Sequence, residues 1–384
     1  MYLKQLSKKL ITLGIIFLGI HLVLLMTGKA YVWKAIWYNF PGIYDYSIFF
    51  NNHIHPSTKP QPWKTTTTYN QVALSPELQV LLEDLKTTAY VVIKDDSVVQ
   101  EHYWDDGDTT TISNSFSMAK SYVSMLIGFA IQDKYITSVN QPVGDFLPYF
   151  RTDGKEKVTI KHLLQMSSGL SWDESYTGPL SITTQAYYDN NLEKLIESLV
   201  LVSEPGKEFK YLSGDTQILG LILKKATGYS LSEYLHLKFW NPAGAENEAL
   251  WSTDYLYGNE KAYCCINATA KDFARIGKLY INKGMWGGKQ LLNSSYVNAS
   301  LQPNGFFDPQ SKATCNFYGY QWWLIPNYNG HNIFYARGIL GQFMICIPEK
   351  NMVIVRLGHE RGEKQDGIHH IITYAMIDEV LQNY

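Results

Sequence analysis

The chain has 384 residues, 46% hydrophobic and 18% charged, with a formal net charge of −2. That is the composition of a globular protein long enough for one large catalytic domain, and with no basic field and no interleaving of basic and aromatic residues, nucleic acid is excluded as an expected partner. No H-E-x-x-H, paired C-x-x-C or glycine-rich phosphate loop occurs, so neither a metal nor another cofactor is expected.

Residues 1–33 differ in kind from the rest. Lys4, Lys8 and Lys9 precede an uncharged apolar run over residues 10–26, and Tyr31, Trp33, Trp37 and Tyr38 follow it. The run approaches the length that crosses a bilayer and the aromatic residues suit its interface. An uncleaved membrane anchor is therefore expected, with the catalytic domain on the extracytoplasmic side, because lysines ahead of a span favour a cytoplasmic N-terminus. Gly28 and Ala30 keep open a cleaved signal peptide and a secreted or periplasmic body. Residues 34–75, rich in Pro, Asn, Thr and aromatics without a sustained period, read as a surface linker.

Residues 76–384 read as one catalytic domain. The spacing of Leu78, Leu81, Leu82 and Leu85 predicts a helix over 76–85, and residues 88–94 and 98–104 read as a hairpin around Asp95, Asp96 and Ser97. A mainly helical subdomain is expected over about 117–301, with helices at 117–132, 160–166, 192–201, 216–226, 231–239 and 268–282. Strands return at 318–325, 333–336, 342–347 and 352–357, and a helix over 368–382 closes the chain. Strands at both ends of a helical middle imply an α+β fold: an antiparallel sheet flanked by N- and C-terminal helices, with an inserted mainly helical subdomain and a cleft between the two. The adjacent Cys264 and Cys265, with Cys315 and Cys346, match no disulfide framework, and buried thiols are expected.

Ser117-Met118-Ala119-Lys120 opens a helix whose continuation is apolar. A serine at the first turn of a buried helix can aim its amide at a developing oxyanion, and a lysine three residues on returns to the same face beside the hydroxyl. A capping serine with a surface lysine gives the same spacing. Downstream, Pro205-Gly206 leads to Tyr211, Leu212 and Ser213 just before an apolar helix, and Ala336-Arg337-Gly338-Ile339 joins two strands where small residues let a backbone approach a ligand. Alone, these are a loop tyrosine and a hairpin turn.

In that order the three segments resemble the serine β-lactamase and penicillin-binding superfamily, in which S-x-x-K, Y-x-N or S-x-N, and K-T-G line one cleft. His162-Leu163-Leu164-Gln165-Met166-Ser167-Ser168-Gly169-Leu170 and Ile347-Pro348-Glu349-Lys350 are similar to the family too. Ser213-Gly214-Asp215-Thr216-Gln217, Asn267-Ala268-Thr269-Ala270-Lys271-Asp272 and Tyr318-Gly319-Tyr320-Gln321-Trp322-Trp323 narrow the likeness to the class C-like esterase branch resembling 6-aminohexanoate-dimer hydrolase. Two departures stand out: Ser213 where many relatives carry Asn, and Arg337 in place of the lysine that binds a β-lactam carboxylate.

The resemblance implies a serine hydrolase cleaving an amide or ester in a small-molecule or short peptide-like substrate. Ser117 would be the nucleophile, Lys120 and Tyr211 its proton carriers, and the amides of Ser117 and Ile339 the oxyanion donors. Trp172 and Tyr176 lie where the family has a mobile lip; they, with Ser213, Asn267, Trp323, Arg337 and Gly338, are the candidate substrate contacts. Arg337 could itself take a carboxylate bidentately. Two alternatives remain: a D,D-peptidase or β-lactamase acting on cell-wall peptides, and a membrane-anchored binding protein using the same cleft without catalysis.

Overall fold

The computed structural model describes residues 2–384. An apolar helix, α1 (Tyr2–Met26), is followed by a short α2 (Val32–Tyr38), two strands, β1 (Asn51–Ile54) and β2 (Lys64–Thr65), and α3 (Pro76–Asp84). Strands β3 (Thr87–Lys94), β4 (Ser97–Tyr103) and β5 (Ser113–Asn114) lead to the helical middle: α4 (Ala119–Gln132), α5 (Ile160–Leu164), α6 (Ile182–Tyr188), α7 (Leu192–Glu197), α8 (Ser213–Thr227) and α9 (Leu231–Leu235). Then come β6 (Ala249–Ser252), β7 (Ile266–Ala268), α10 (Ala270–Ile281), the ribbon β8 (Met285–Trp286) and β9 (Lys289–Gln290), α11 (Ser294–Ser300), and a second ribbon, β10 (Phe307–Asp308) and β11 (Ala313–Thr314). The chain ends with β12 (Trp323–Tyr328), β13 (His331–Gly338), β14 (Gln342–Ile347), β15 (Met352–Gly358) and α12 (Ile371–Asn383).

Two sheets organise this α+β fold. The larger has seven strands in the order β12-β13-β14-β15-β3-β4-β2, antiparallel except for the β2–β4 edge. Its central strands are buried on both faces, and their alternation assigns each residue a side. Tyr90, Val92, Phe343, Ile345 and Ile354 pack against α3 and α12; Val91, Ile93, Met344, Cys346 and Val353 face α10 and the helical middle. A Cβ on Gly277 of α10 would lie 2.8 Å from both Cys346 Sγ and Met344 Sδ, so this close approach of helix to sheet needs glycine. The smaller sheet, β1-β6-β7-β5, ends on the strand that leads to Ser117.

Several expectations shift. The stretch expected as a linker packs on the domain: β1 pairs with β6, β2 pairs with β4, and Ile43 and Ile54 are buried. Its strands are too short for a period to show in sequence. The 318–325 strand starts instead at Trp323, because Gln321 takes a left-handed φ of 61° and turns the chain. Thr269 caps α10, so that helix opens at Ala270 and not at 268. Cys264 and Cys265, expected as thiols, form a vicinal disulfide, while Cys315 and Cys346 are buried free thiols.

Arg356 on β15 is fully buried, and its guanidinium donates to Thr87 Oγ1 at 3.0 Å and to the carbonyls of Gly341 (2.7 Å), Glu360 (2.7 Å) and Leu85 (2.6 Å). It ties the turn after β13 to the sheet. Arg356→Ala would strand those acceptors and is expected to lower stability by at least about 2 kcal/mol, seen as a fall in the urea midpoint at unchanged m.

Candidate active site

β5 delivers the chain to Phe116, whose φ of +42° is a left-handed conformation uncommon for a bulky residue. Asn114 Oδ1 holds it there by accepting from the Phe116 amide at 2.8 Å. A single 3₁₀ turn, Phe116–Met118, then runs into α4, so Ser117 stands at the mouth of a helix that is otherwise buried. Lys120, one turn later, is 1% exposed. Its ammonium donates to Ser117 Oγ (2.9 Å), Ser213 Oγ (3.1 Å) and the Tyr263 carbonyl (2.9 Å), using all three protons of the group. Burial pulls the Lys120 pKa down to about 8, against an opposing pull from the Glu174 charge.

Tyr211 is carried by the turn before α8. Its ring lies 5.5 Å from Trp323 and 6.0 Å from Tyr318, with Lys120 Nζ 5.1 Å above it. Burial and then the Glu174 charge raise its phenol, although a hydrogen bond with Ser117 and the charges of Arg337 and Arg361 work the other way. Ser213 opens α8 and relays between Lys120 and Glu174: its Oγ donates to Glu174 Oε1 at 2.6 Å and its amide to Oε2 at 2.7 Å. The Tyr176 hydroxyl donates to the same carboxylate.

The third side of the site is the end of β13. A Cβ on Gly338 would stand 2.3 Å from the Ser115 carbonyl, so the strand can lie against the Ser117 turn only with glycine there. That contact brings Ile339 beside Ser117. Two chambers meet at Ser117, Tyr176 and Ile339. The outer one is an open cleft of about 1010 Å³ bordered by Glu174, Tyr211, Trp323, Arg337 and Arg361. The inner one, about 50 Å³, is walled by Phe116, Tyr187, Tyr188 and Tyr263, with Asn39 and Pro41 from the N-terminal segment.

Of the residues singled out from sequence, Ser117, Lys120, Tyr211, Ser213, Tyr176, Trp323, Arg337, Gly338 and Ile339 come together here. Arg337 lines the cleft with its guanidinium 3.4 Å from the Trp323 ring centroid while donating to the Ile368 carbonyl. Trp172 and Asn267 do not join them. Trp172 is buried behind the site, its indole donating to Thr183 Oγ1 at 3.2 Å and its ring filling the space beside Gly214. Asn267 sits inside the small sheet and donates to the Cys265 carbonyl at 3.0 Å. Sequence reasoning passed over Glu174, Arg361 and the Tyr263 carbonyl. Glu174, two residues before Tyr176, carried a signal in its position within the expected lip; Arg361 and Tyr263 lie in irregular segments and carried none.

The Beta-lactamase family profile matches residues 79–375. A 6-aminohexanoate-dimer hydrolase of Paenarthrobacter ureafaciens is 25% identical over 300 residues, spanning 73% of this chain and 75% of that protein. Among solved structures, a Bacillus anthracis protein provisionally described as a 6-aminohexanoate-dimer hydrolase superposes with a TM-score of 0.73 at 22% identity, covering 92% of this chain and 95% of the other. A family VIII carboxylesterase superposes at 0.62 with 15% identity over 82% of this chain and 99% of its own.

Because Glu174 favours the charged form of Lys120, Glu174→Gln should move the lysine pKa below about 8. The pH at which fluorophosphonate labels Ser117 at half its maximal rate should fall accordingly; an upward shift or none would contradict the coupling.

Proposed function

The chain belongs to the Beta-lactamase family and is a serine hydrolase, and from that premise we propose that it is an exported, membrane-anchored amidase or esterase working through an acyl-enzyme on Ser117. The observation that carries the reading is the dry Lys120 ammonium 2.9 Å from Ser117 Oγ. A lysine whose pKa is drawn to about 8 by desolvation is neutral in a useful fraction of molecules near neutral pH, whereas the raised phenol of Tyr211 stays protonated. Lys120 is therefore the base and Tyr211 the acid.

Neutral Lys120 takes the Ser117 hydroxyl proton as Oγ attacks the substrate carbonyl. The amides of Ser117 and Ile339 hold the resulting oxyanion. As the tetrahedral species collapses, the bond to the leaving nitrogen or oxygen breaks, Tyr211 protonates that atom, and Lys120 re-supplies the phenol. Water then attacks the acyl-enzyme, giving its proton to the same pair, and Ser117 is released. The curated relative, itself named a hydrolase, supports this chemistry. Export rests on α1, whose residues Gln5–Met26 are long and apolar enough to cross a membrane.

The second reading, a D,D-peptidase or β-lactamase, is favoured by one observation: Arg337 and Arg361 both border the outer cleft, where a peptide carboxylate could sit. The full chain in detergent micelles separates the readings. Ser117→Ala is expected to abolish fluorophosphonate labelling and to cut p-nitrophenyl ester turnover by at least about a thousandfold. Wild-type kcat/KM should rise with pH through about 8 and then level off, since the base must be deprotonated and the acid titrates far higher. A covalent fluorescent-penicillin adduct on Ser117 would move the second reading to the front, and no Ser117-dependent labelling or turnover at all would leave a binding protein.

A further inference from the structure

Ser117 stands between chambers of opposite chemistry. The outer cleft carries Lys210, Arg337, Arg361 and Lys364 with Glu174, Glu208, Asp308 and Asp366; the inner chamber is aromatic, with Phe116, Tyr187, Tyr188 and Tyr263 around Ile339. Tyr211 borders the outer cleft and not the inner chamber. A leaving group protonated by Tyr211 therefore departs into the polar cleft, and the acyl group on the other side of the scissile bond falls into the aromatic chamber. We infer that the substrate is an amphiphile presented at a bilayer surface: an apolar acyl chain, whose carbonyl end enters a chamber partly built by the juxtamembrane segment, joined to a polar headgroup in the outer cleft. This rests on the hydrolase and anchor readings above and adds the substrate class.

The juxtamembrane contribution is a fixed wall. The Trp33 indole donates to His21 Nδ1 at 3.1 Å and its ring packs 4.8 Å from Phe17, so α2 is folded back on the end of α1. On its other side the segment is pinned to α6: the Tyr188 hydroxyl donates to the Asn39 carbonyl at 3.2 Å, Tyr38 stacks on Tyr188, and the Tyr187 hydroxyl donates to Asp45. Between these anchor points, Ile36, Trp37 and Phe40 are 60%, 82% and 57% exposed, a run of large apolar side chains that water disfavours. Ten residues or so beyond a membrane-spanning helix, such side chains lie in the interface, where aromatic residues are at home. Asn39 and Pro41, which close the inner chamber, belong to this same run. The chamber wall and the bilayer contact are thus one piece of chain, and an acyl chain leaving the lipid meets the chamber first.

The outer cleft is charged throughout, which suits a polar headgroup. Burial lowers the pKa of Arg361, with the nearby Arg337 adding to the effect. With Glu174, Glu208, Asp308 and Asp366 on the same wall as Lys210, Arg337, Arg361 and Lys364, the cleft presents both signs of charge to a polar headgroup.

The test compares p-nitrophenyl acetate with p-nitrophenyl octanoate on the full chain in micelles, so that only the acyl group differs. Wild type is expected to favour the octanoate by at least about tenfold in kcat/KM. Pro41→Trp, which pushes a ring into the inner chamber, should collapse the octanoate-to-acetate ratio by a similar factor; Asn39→Trp gives the same reading if the first variant fails to fold. Ser117-dependent turnover of acetate without preference for octanoate, or a ratio unchanged in both variants, overturns the inference while leaving the hydrolase intact. Absence of any Ser117-dependent turnover instead sinks the hydrolase reading. Recovery of the chain from the soluble fraction without α1 overturns supply from the membrane.

Discussion

An ammonium group taken out of water is the constraint around which this molecule is arranged. Lys120 has its charge buried, and such a charge is tolerated only where hydrogen bonds replace hydration. Its three acceptors come from three places in the chain: the turn before α4, the start of α8, and the loop at Tyr263. Each must be held to within a few tenths of an ångström for the lysine to be satisfied, and the packing behind the site does this. Ser168 Oγ donates to the buried Asp215 carboxylate at 2.6 Å and so locks α8 to the segment after α5. Gln321 holds the same helix from behind, accepting from Thr216 Oγ1 and donating to the Leu163 and Leu164 carbonyls. Segments that look like family signatures are, in these contacts, the scaffold of the lysine.

The same economy explains why the N-terminal segment is ordered on the domain. Asn39 and Pro41 line the inner chamber beside α6, and just beyond them Ile43 is buried, with the Asn114 amide donating to its carbonyl at 2.8 Å. Asn114 also holds the strained Phe116 through its side chain. One residue thus connects the segment that follows α1 to the turn that carries Ser117.

Legibility followed periodicity and locality. The hairpin of β3 and β4, the helix α4 and the strand pair β14 and β15 could be read because long apolar runs and alternation dictate them. Ser117 and Lys120 could be paired because helical spacing alone puts them on one face. Tyr211, Gly338 and Ile339 became readable only through likeness to a family, since nothing local says that a loop tyrosine and a strand end will meet a helix mouth. Glu174 reaches Ser213 across 39 residues of chain through an irregular loop, and no period points to it. The aromatic residues divided for the same reason: Tyr176 and Trp323 face the cleft while Trp172 packs beneath Gly214, and ring identity carries no direction. Short strands β1, β2 and β6, four residues or fewer, are held by pairing across the fold and leave almost no trace in their own sequence.

Gly338 and Arg337 are neighbours in sequence under opposite kinds of control. The glycine is fixed by a backbone 2.3 Å from where a side chain would begin, a requirement indifferent to substrate. The arginine lies on open cleft wall, held by the Trp323 ring and the Ile368 carbonyl and facing whatever the cleft takes in. A side chain at 338 would therefore push the strand off the Ser117 turn whatever the cleft held, whereas a change at 337 would rewrite the cleft wall and leave the turn in place.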